Sequence, residues 1–213
     1  PPTELMGCLG NWEKFLHEST LPPLVTAALA HYQFEAIHPF LDGNGRIGRL
    51  TITLFLVERE ILPAPLLYLS AFFEATREEY YGHLLAVSER GAWEAWLRYF
   101  LTGVARQAAD AVHRAEQINT LLGQCCRQLA GSSSKAGMAL VDLLAENPYW
   151  SIKRIAERLQ VAYTTAQRAV EKLESMGILT QTTEARRDRV YCAEAILDII
   201  EEPADLTPWE EHR

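Results

Sequence analysis

Twelve consecutive residues, His38-Pro39-Phe40-Leu41-Asp42-Gly43-Asn44-Gly45-Arg46-Ile47-Gly48-Arg49, gather a titratable base, a carboxylate, three glycines, an asparagine and two arginines. Together they form a set suited to handling phosphate. Upstream, Leu24, Leu29, Tyr32, Ala36 and Ile37 predict a helix. Pro39 disfavours helical geometry at the residue before it, which puts His38 at the mouth of a loop. Downstream, Ile47, Leu50, Ile52, Leu54 and Val57 are expected to mark the buried side of a second helix. Gly43, Asn44 and Gly45 then fall where the loop enters that helix, and its unpaired amides and positive dipole end favour an anion. A Cβ at the glycines would keep the backbone from closing around phosphate oxygens.

The segment matches the signature HPFxDGNGRxxR at every specified position. A lone GxG is weak evidence, whereas this joint spacing is highly specific. The chain therefore resembles Fic-domain proteins of the kind that transfer AMP from ATP to a hydroxyl of a target protein. The resemblance implies an all-α Fic helical domain and a task for each residue. An imidazole titrates near 6.5 in free peptides, so His38 is the implied catalytic base for a Ser, Thr or Tyr hydroxyl. Asp42 is the implied metal ligand for Mg²⁺, a cation held by one or two carboxylates plus substrate phosphates. Gly43, Asn44, Gly45, Arg46, Ile47, Gly48 and Arg49 are the implied nucleotide-binding residues, with Arg46 and Arg49 offsetting charge as pyrophosphate leaves. Tyr80 and Tyr81, in an R-x-x-Y-Y element opened by Arg77, join that set, although an aromatic pair on an amphipathic helix also suits a core. The Doc-like branch, which phosphorylates its target, resembles HPFxDANKRT; with Gly43, Gly45 and Arg46 this chain resembles the AMP-transferring branch instead, some relatives of which use other nucleotides or CDP-choline.

The elements around the loop read as helices. Leu9, Trp12, Phe15 and Leu16 have helical spacing and are assigned to packing. Trp93, Trp96 and Phe100 share one face of a helix that runs on to Leu122 and are also assigned to the core. Gly131-Ser-Ser-Ser134 reads as a linker. Beyond it, a helix over Met138 to Leu144, a break at Pro148-Tyr149-Trp150, a helix capped by Ser151, a helix opened by Thr164 and stopped by Gly177, and two strands around a polar segment resemble a winged helix-turn-helix. The expected organisation is a Fic catalytic domain over 1–130, a linker over 131–135, a small α+β winged helix-turn-helix domain over 136–200 and an acidic tail over 201–213. Thr164, Gln167, Arg168 and Lys172, with Arg186, Arg187 and Arg189 on the wing, could reach DNA. The alternative is that the winged helix serves protein contacts.

The 213 residues carry a formal net charge of −8, which argues against a protein that coats nucleic acid generally. Cys8, Cys125, Cys126 and Cys192 lack zinc-site or disulfide-framework spacing, so a reducing cytoplasm is expected. No apolar run is long enough to span a bilayer. The expected function is a Mg²⁺-dependent protein adenylyltransferase using ATP and a protein substrate that includes the chain itself. A homodimer is a further partner reading. The rival function is a winged-helix DNA-binding regulator whose Fic domain senses nucleotide. Relatives carry a β-hairpin flap, and many an inhibitory helix of pattern [S/T]-x-x-x-E-[G/N]. Glu146-Asn147 has Asp142 at the Ser/Thr position, so residues 1–213 are expected to be an N-terminally truncated piece of a longer chain.

Overall fold

The computed structural model describes residues 3–130, 135–182 and 189–203. Residues 131–134 of the expected 131–135 linker, the wing residues Arg186 and Arg187, and residues 204–213 of the expected tail lie outside the described residues, while Lys135, the last residue of the expected linker, opens a helix. The chain divides between Ala111 and Val112 into two compact units.

The first unit is helical: α1 (Leu5–Glu18), α2 (Pro23–Ile37), α3 (Asn44–Glu58), α4 (Leu69–Ala75), α5 (Arg77–Arg90) and the start of α6 (Trp93–Leu129). Helix α2 packs against both α1 and α3. Pro23 opens α2 at a position whose amide would be unpaired in any case. Ala27, Ala28 and Ala30 are buried, and such small side chains let neighbouring helices approach closely. Two indoles lock onto α2 there: Trp96 Nε1 donates to the Ala28 carbonyl at 3.0 Å and Trp12 Nε1 to that of Ala30 at 2.8 Å. Ile52, Phe55, Leu56, Phe72, Phe73, Trp96 and Phe100 fill the core. The Arg59 guanidinium donates to the Leu16 carbonyl at 2.6 Å and to that of His17 at 3.3 Å, closing the end of α1.

Two expectations are corrected in this unit. On α3, Ile47, Leu50 and Leu54 are exposed by 37, 55 and 54 %, whereas Asn44, Gly48, Ile52, Phe55 and Leu56 face inward. The buried stripe does follow the helical period, but it begins with a polar residue and a glycine, so a search by apolar residues alone selects the other side. Trp93 is 41 % exposed, unlike Trp96 and Phe100, and meets the Tyr32 ring in a T-shaped pair with centroids 4.9 Å apart.

The second unit comprises the rest of α6, then α7 (Lys135–Glu146), β1 (Tyr149–Ser151), α8 (Ile152–Leu159), α9 (Tyr163–Ser175), β2 (Thr180–Gln181), β3 (Val190–Cys192) and α10 (Glu194–Glu201). The sheet order is β1-β3-β2, antiparallel throughout, with Trp150 and Gln181 both opposite Tyr191. Leu140, Val141, Leu144, Ile155, Val170 and Leu173 make its core, joined by Leu121, Leu122, Cys125 and Leu129 of α6. Ser151 Oγ accepts from the Arg154 amide at 3.4 Å and caps α8. Just past the end of α9, Gly177 takes the left-handed conformation, φ 70°. Helix α10 is closed by Arg114 of α6, which donates to the carbonyls of Ile199, Ile200 and Glu202.

Here too the sequence expectations shift. Tyr149 and Trp150, read as part of a break, form with the capping Ser151 a short strand, because pairing with β3 supplies ladder partners that no local pattern reveals. The cap of α9 is Ala162 and makes no side-chain bond; Thr164 lies in the first turn. The chain is thus an all-α helical unit followed by a small winged helix-turn-helix unit of α+β character. Among the described residues no helix is long and apolar enough to cross a membrane, and Cys8, Cys125, Cys126 and Cys192 are all free.

Candidate active site

Helix α2 ends at His38, which adopts a left-handed conformation (φ 50°, ψ 60°) while its amide still bonds the Phe34 carbonyl at 3.0 Å. A side chain with a Cβ rarely sits there, and the turn holds this one exposed at the end of a rigid helix. Five residues on, Gly43 (φ 85°) turns the chain into α3. The loop between them is tied by Asn44, only 3 % exposed. Its Oδ1 accepts from the Phe40 amide at 2.8 Å, and its Nδ2 donates to the Phe40 carbonyl at 2.6 Å. With both ends of the side chain so used, Asn44 offers a ligand its backbone amide. Gly43 brings no side-chain acceptor to the helix start. The amides of Asn44, Gly45 and Arg46 therefore have no acceptor in the turn behind them and face an incoming anion.

Both arginines fold back toward this turn. A Cβ on Gly43 would lie 3.5 Å from Arg46 Nη2, and one on Gly45 would lie 3.0 Å from Arg49 Nη1. Arg46 donates to Asp42 Oδ2 at 3.2 Å, in a pair whose side chains are 76 and 92 % exposed. Asp42 is therefore a solvated carboxylate beside the start of α3. No cluster of three or more His, Cys, Asp or Glu side chains occurs among the described residues. A single exposed carboxylate beside a helix start suits Mg²⁺, which keeps waters and would take its other oxygens from a bound phosphate. Ile47 is exposed and Gly48 buried, so the two differ in access although adjacent.

Behind the loop lies a buried polar layer, most of which the sequence reading did not single out. His31 of α2, 2 % exposed, is held by a 3.0 Å hydrogen bond between its Nε2 and the Tyr80 hydroxyl. Burial pushes the His31 pKa down to about 3. Tyr80, 3 % exposed, stacks on Phe73 at 4.8 Å, and burial also raises its phenol above the usual range. Tyr81 is 55 % exposed, with the Arg77 guanidinium 5.9 Å from its ring centre. The core assignment thus describes Tyr80, while Tyr81 keeps a ring available to a ligand. Glu35 of α2 packs on Gly48, where a Cβ would meet Glu35 Oε1 at 2.7 Å. Burial raises the Glu35 pKa, against the pull of Arg49 and then His38. Its position one turn before His38 is the sequence signal that could have found it. Beside His38, an open groove of about 520 Å³ runs between α1 and α2, lined by Leu5, Cys8, Tyr32, Gln33 and Ile37.

In the second unit, α9 exposes Thr164, Arg168 and Lys172. Gln167 is half-buried and donates to Glu171 Oε1 at 2.8 Å. Arg189 is exposed just before β3. Of the seven candidate DNA contacts, these five are described.

Residues 1–56 match the Fic/DOC family and residues 137–180 match a winged helix-turn-helix DNA-binding family. Similar curated proteins include the protein adenylyltransferase Fic of Drosophila yakuba and that of Drosophila melanogaster. Each is 32 % identical over 143 residues, covering 67 % of this chain and 27 % of the relative. The Drosophila virilis protein of the same name is 35 % identical over 95 residues, 45 % of this chain and 18 % of the relative. The chain thus spans about a quarter of the length of the first two. The crystal structure of a Fic family protein from Desulfovibrio desulfuricans G20 superposes with a TM-score of 0.51 at 21 % identity, over 91 % of this chain and 56 % of that one, and shows a shared fold. The chain carries a Fic/DOC family domain at its N-terminus, followed by a winged helix-turn-helix.

Proposed function

We propose that the protein transfers AMP from ATP to a Ser, Thr or Tyr hydroxyl of a target protein. The observation that carries this reading is the joint geometry of the loop: an exposed histidine fixed at the end of α2, a glycine-turned helix start, and two guanidinium groups folded over that start. The relatives named protein adenylyltransferase support the same reading. His38 takes the proton of the target hydroxyl, whose oxygen forms a bond to the α-phosphorus. The bond from that phosphorus to the bridging oxygen breaks, and pyrophosphate leaves with the electron pair. Amides of Asn44, Gly45 and Arg46, with the Arg46 and Arg49 guanidiniums, hold the phosphates and offset the charge that develops. Asp42 would hold Mg²⁺, which supplies further charge neutralisation on the phosphates. The exposed Tyr81 ring would serve as a stacking surface for the base, with the Tyr80 ring meeting it edge-on, centroids 5.1 Å apart. A target side chain would reach His38 through the groove between α1 and α2. The setting is a reducing cytoplasm, in keeping with four free cysteines.

Incubating the protein and a mixture of target proteins with ATP labelled on the α- or the γ-phosphate tests this reading. The α-label is expected to become covalent and the γ-label to leave in pyrophosphate. Covalent γ-label would instead mean phosphoryl transfer and would overturn it.

The winged helix carries a second reading, DNA binding, on the strength of Thr164, Arg168 and Lys172 standing exposed on α9. Retardation of duplex DNA that weakens steeply with salt is its expected signature.

A further inference from the structure

Two buried atoms of opposite character, one on α2 and one on α3, lack hydrogen-bond partners. Glu35 Oε1 and Arg49 Nε are both shielded from solvent, and neither has a hydrogen-bond partner among the described residues. Glu35 reaches across from α2 to pack on Gly48, the neighbour of Arg49 on α3. Arg49 is the leading charge acting on Glu35. At its other end, the Arg49 guanidinium puts Nη1 over Gly45, at the start of α3. The fork of Arg49 thus lies over the start of α3, while Glu35 packs on the residue next to Arg49 and acts on it electrostatically. A guanidinium donates from Nε and from both Nη atoms in one plane, so an acceptor at Nε fixes the direction of the fork. Leaving both buried groups unsatisfied is costly, whereas pairing them satisfies both.

We propose that Glu35 is a positioning residue that accepts the Arg49 Nε–H and so holds the fork toward the terminal phosphates of a nucleoside triphosphate. This rests on the nucleotide reading of the loop. It adds a carboxylate outside the twelve-residue segment to the apparatus that selects a triphosphate. Gly48 is then required as glycine, since a Cβ would collide with the carboxylate.

Calorimetry with ATP and with AMP tests the proposal, because AMP lacks the phosphates that Arg49 would hold. Glu35→Met removes the acceptor at similar bulk and is expected to weaken ATP binding on the order of tenfold or more, with AMP binding unchanged. Glu35→Gln keeps a carbonyl acceptor and should recover most of that loss. In an Arg49→Met background, Glu35→Met should have no further effect on ATP. Equal weakening of ATP and AMP, a gain in ATP affinity on removing the charge, or additive effects of the two substitutions would each overturn it. A wild-type protein that binds no ATP would instead refute the nucleotide reading on which the proposal rests.

Discussion

Helix α2 carries two histidines two turns apart, and they meet opposite fates. His31 lies in the body of the helix, 2 % exposed among Phe73, Tyr80, Trp96 and Phe100, and burial pushes its pKa down to about 3. His38 lies where the helix stops, exposed, with its backbone turned left-handed. One side-chain type therefore serves as a neutral hydrogen-bonding partner in a core and as a candidate base at a surface. Residue type does not separate them; position relative to the helix end does. Desolvation penalises the charged imidazole at the first site, while the turn presents the second to solvent close to the start of α3. The same division separates Glu35, packed against Gly48, from Asp42, 92 % exposed.

The contrast breaks most sharply at His38. His38→Ala is expected to lower AMP transfer by about 10²–10⁴-fold while nucleotide binding, measured by calorimetry, is retained. Near-normal transfer would return His38 to the class of structural histidines. His31→Phe should do the converse, leaving the Tyr80 hydroxyl without its partner and costing about 1–3 kcal/mol of stability. Its pH dependence sharpens the point. The folded pKa lies below the ordinary 6.5, so below that pH the unfolded chain binds a proton that the native state refuses. Wild-type stability then falls on acidification by roughly 1.4 kcal/mol per pH unit from this group. The lead of wild type over His31→Phe should shrink accordingly between pH 6.5 and 5 in thermal denaturation; a constant lead would mean that His31 is not buried neutral. The smallest stability effect is expected at Asp42. Its exposed pair with Arg46 contributes little, so Asp42→Asn should change stability by less than about 0.5 kcal/mol while reducing the Mg²⁺ dependence of nucleotide binding. A large stability loss there would erase the distinction between the buried and the exposed carboxylate.

Much of the candidate site was legible in the chain because it is contiguous: twelve residues carry their own turn chemistry, and Pro39 and Gly43 mark the two ends of one loop. Local physics sufficed for the helices flanking it, for the Ser151 cap and for Gly177 as a stop. The amino-acid order also determined that Arg46 and Arg49 lie within one turn of each other near the same helix start. What it left open depended on contacts between distant segments. Asn44 became the clamp of its own loop, and the buried side of α3 was decided by what α2 presents to it, so Gly48 faces inward and Leu50 faces water. Tyr80 was drawn into the core by His31, forty-nine residues earlier, leaving Tyr81 outside. Tyr149–Ser151 became a strand only by pairing with Val190–Cys192. Burial and hydrogen-bond satisfaction are properties of the packed whole, and a periodic pattern read along one segment cannot assign a polar residue or a glycine to the inside until its partner across the interface is known.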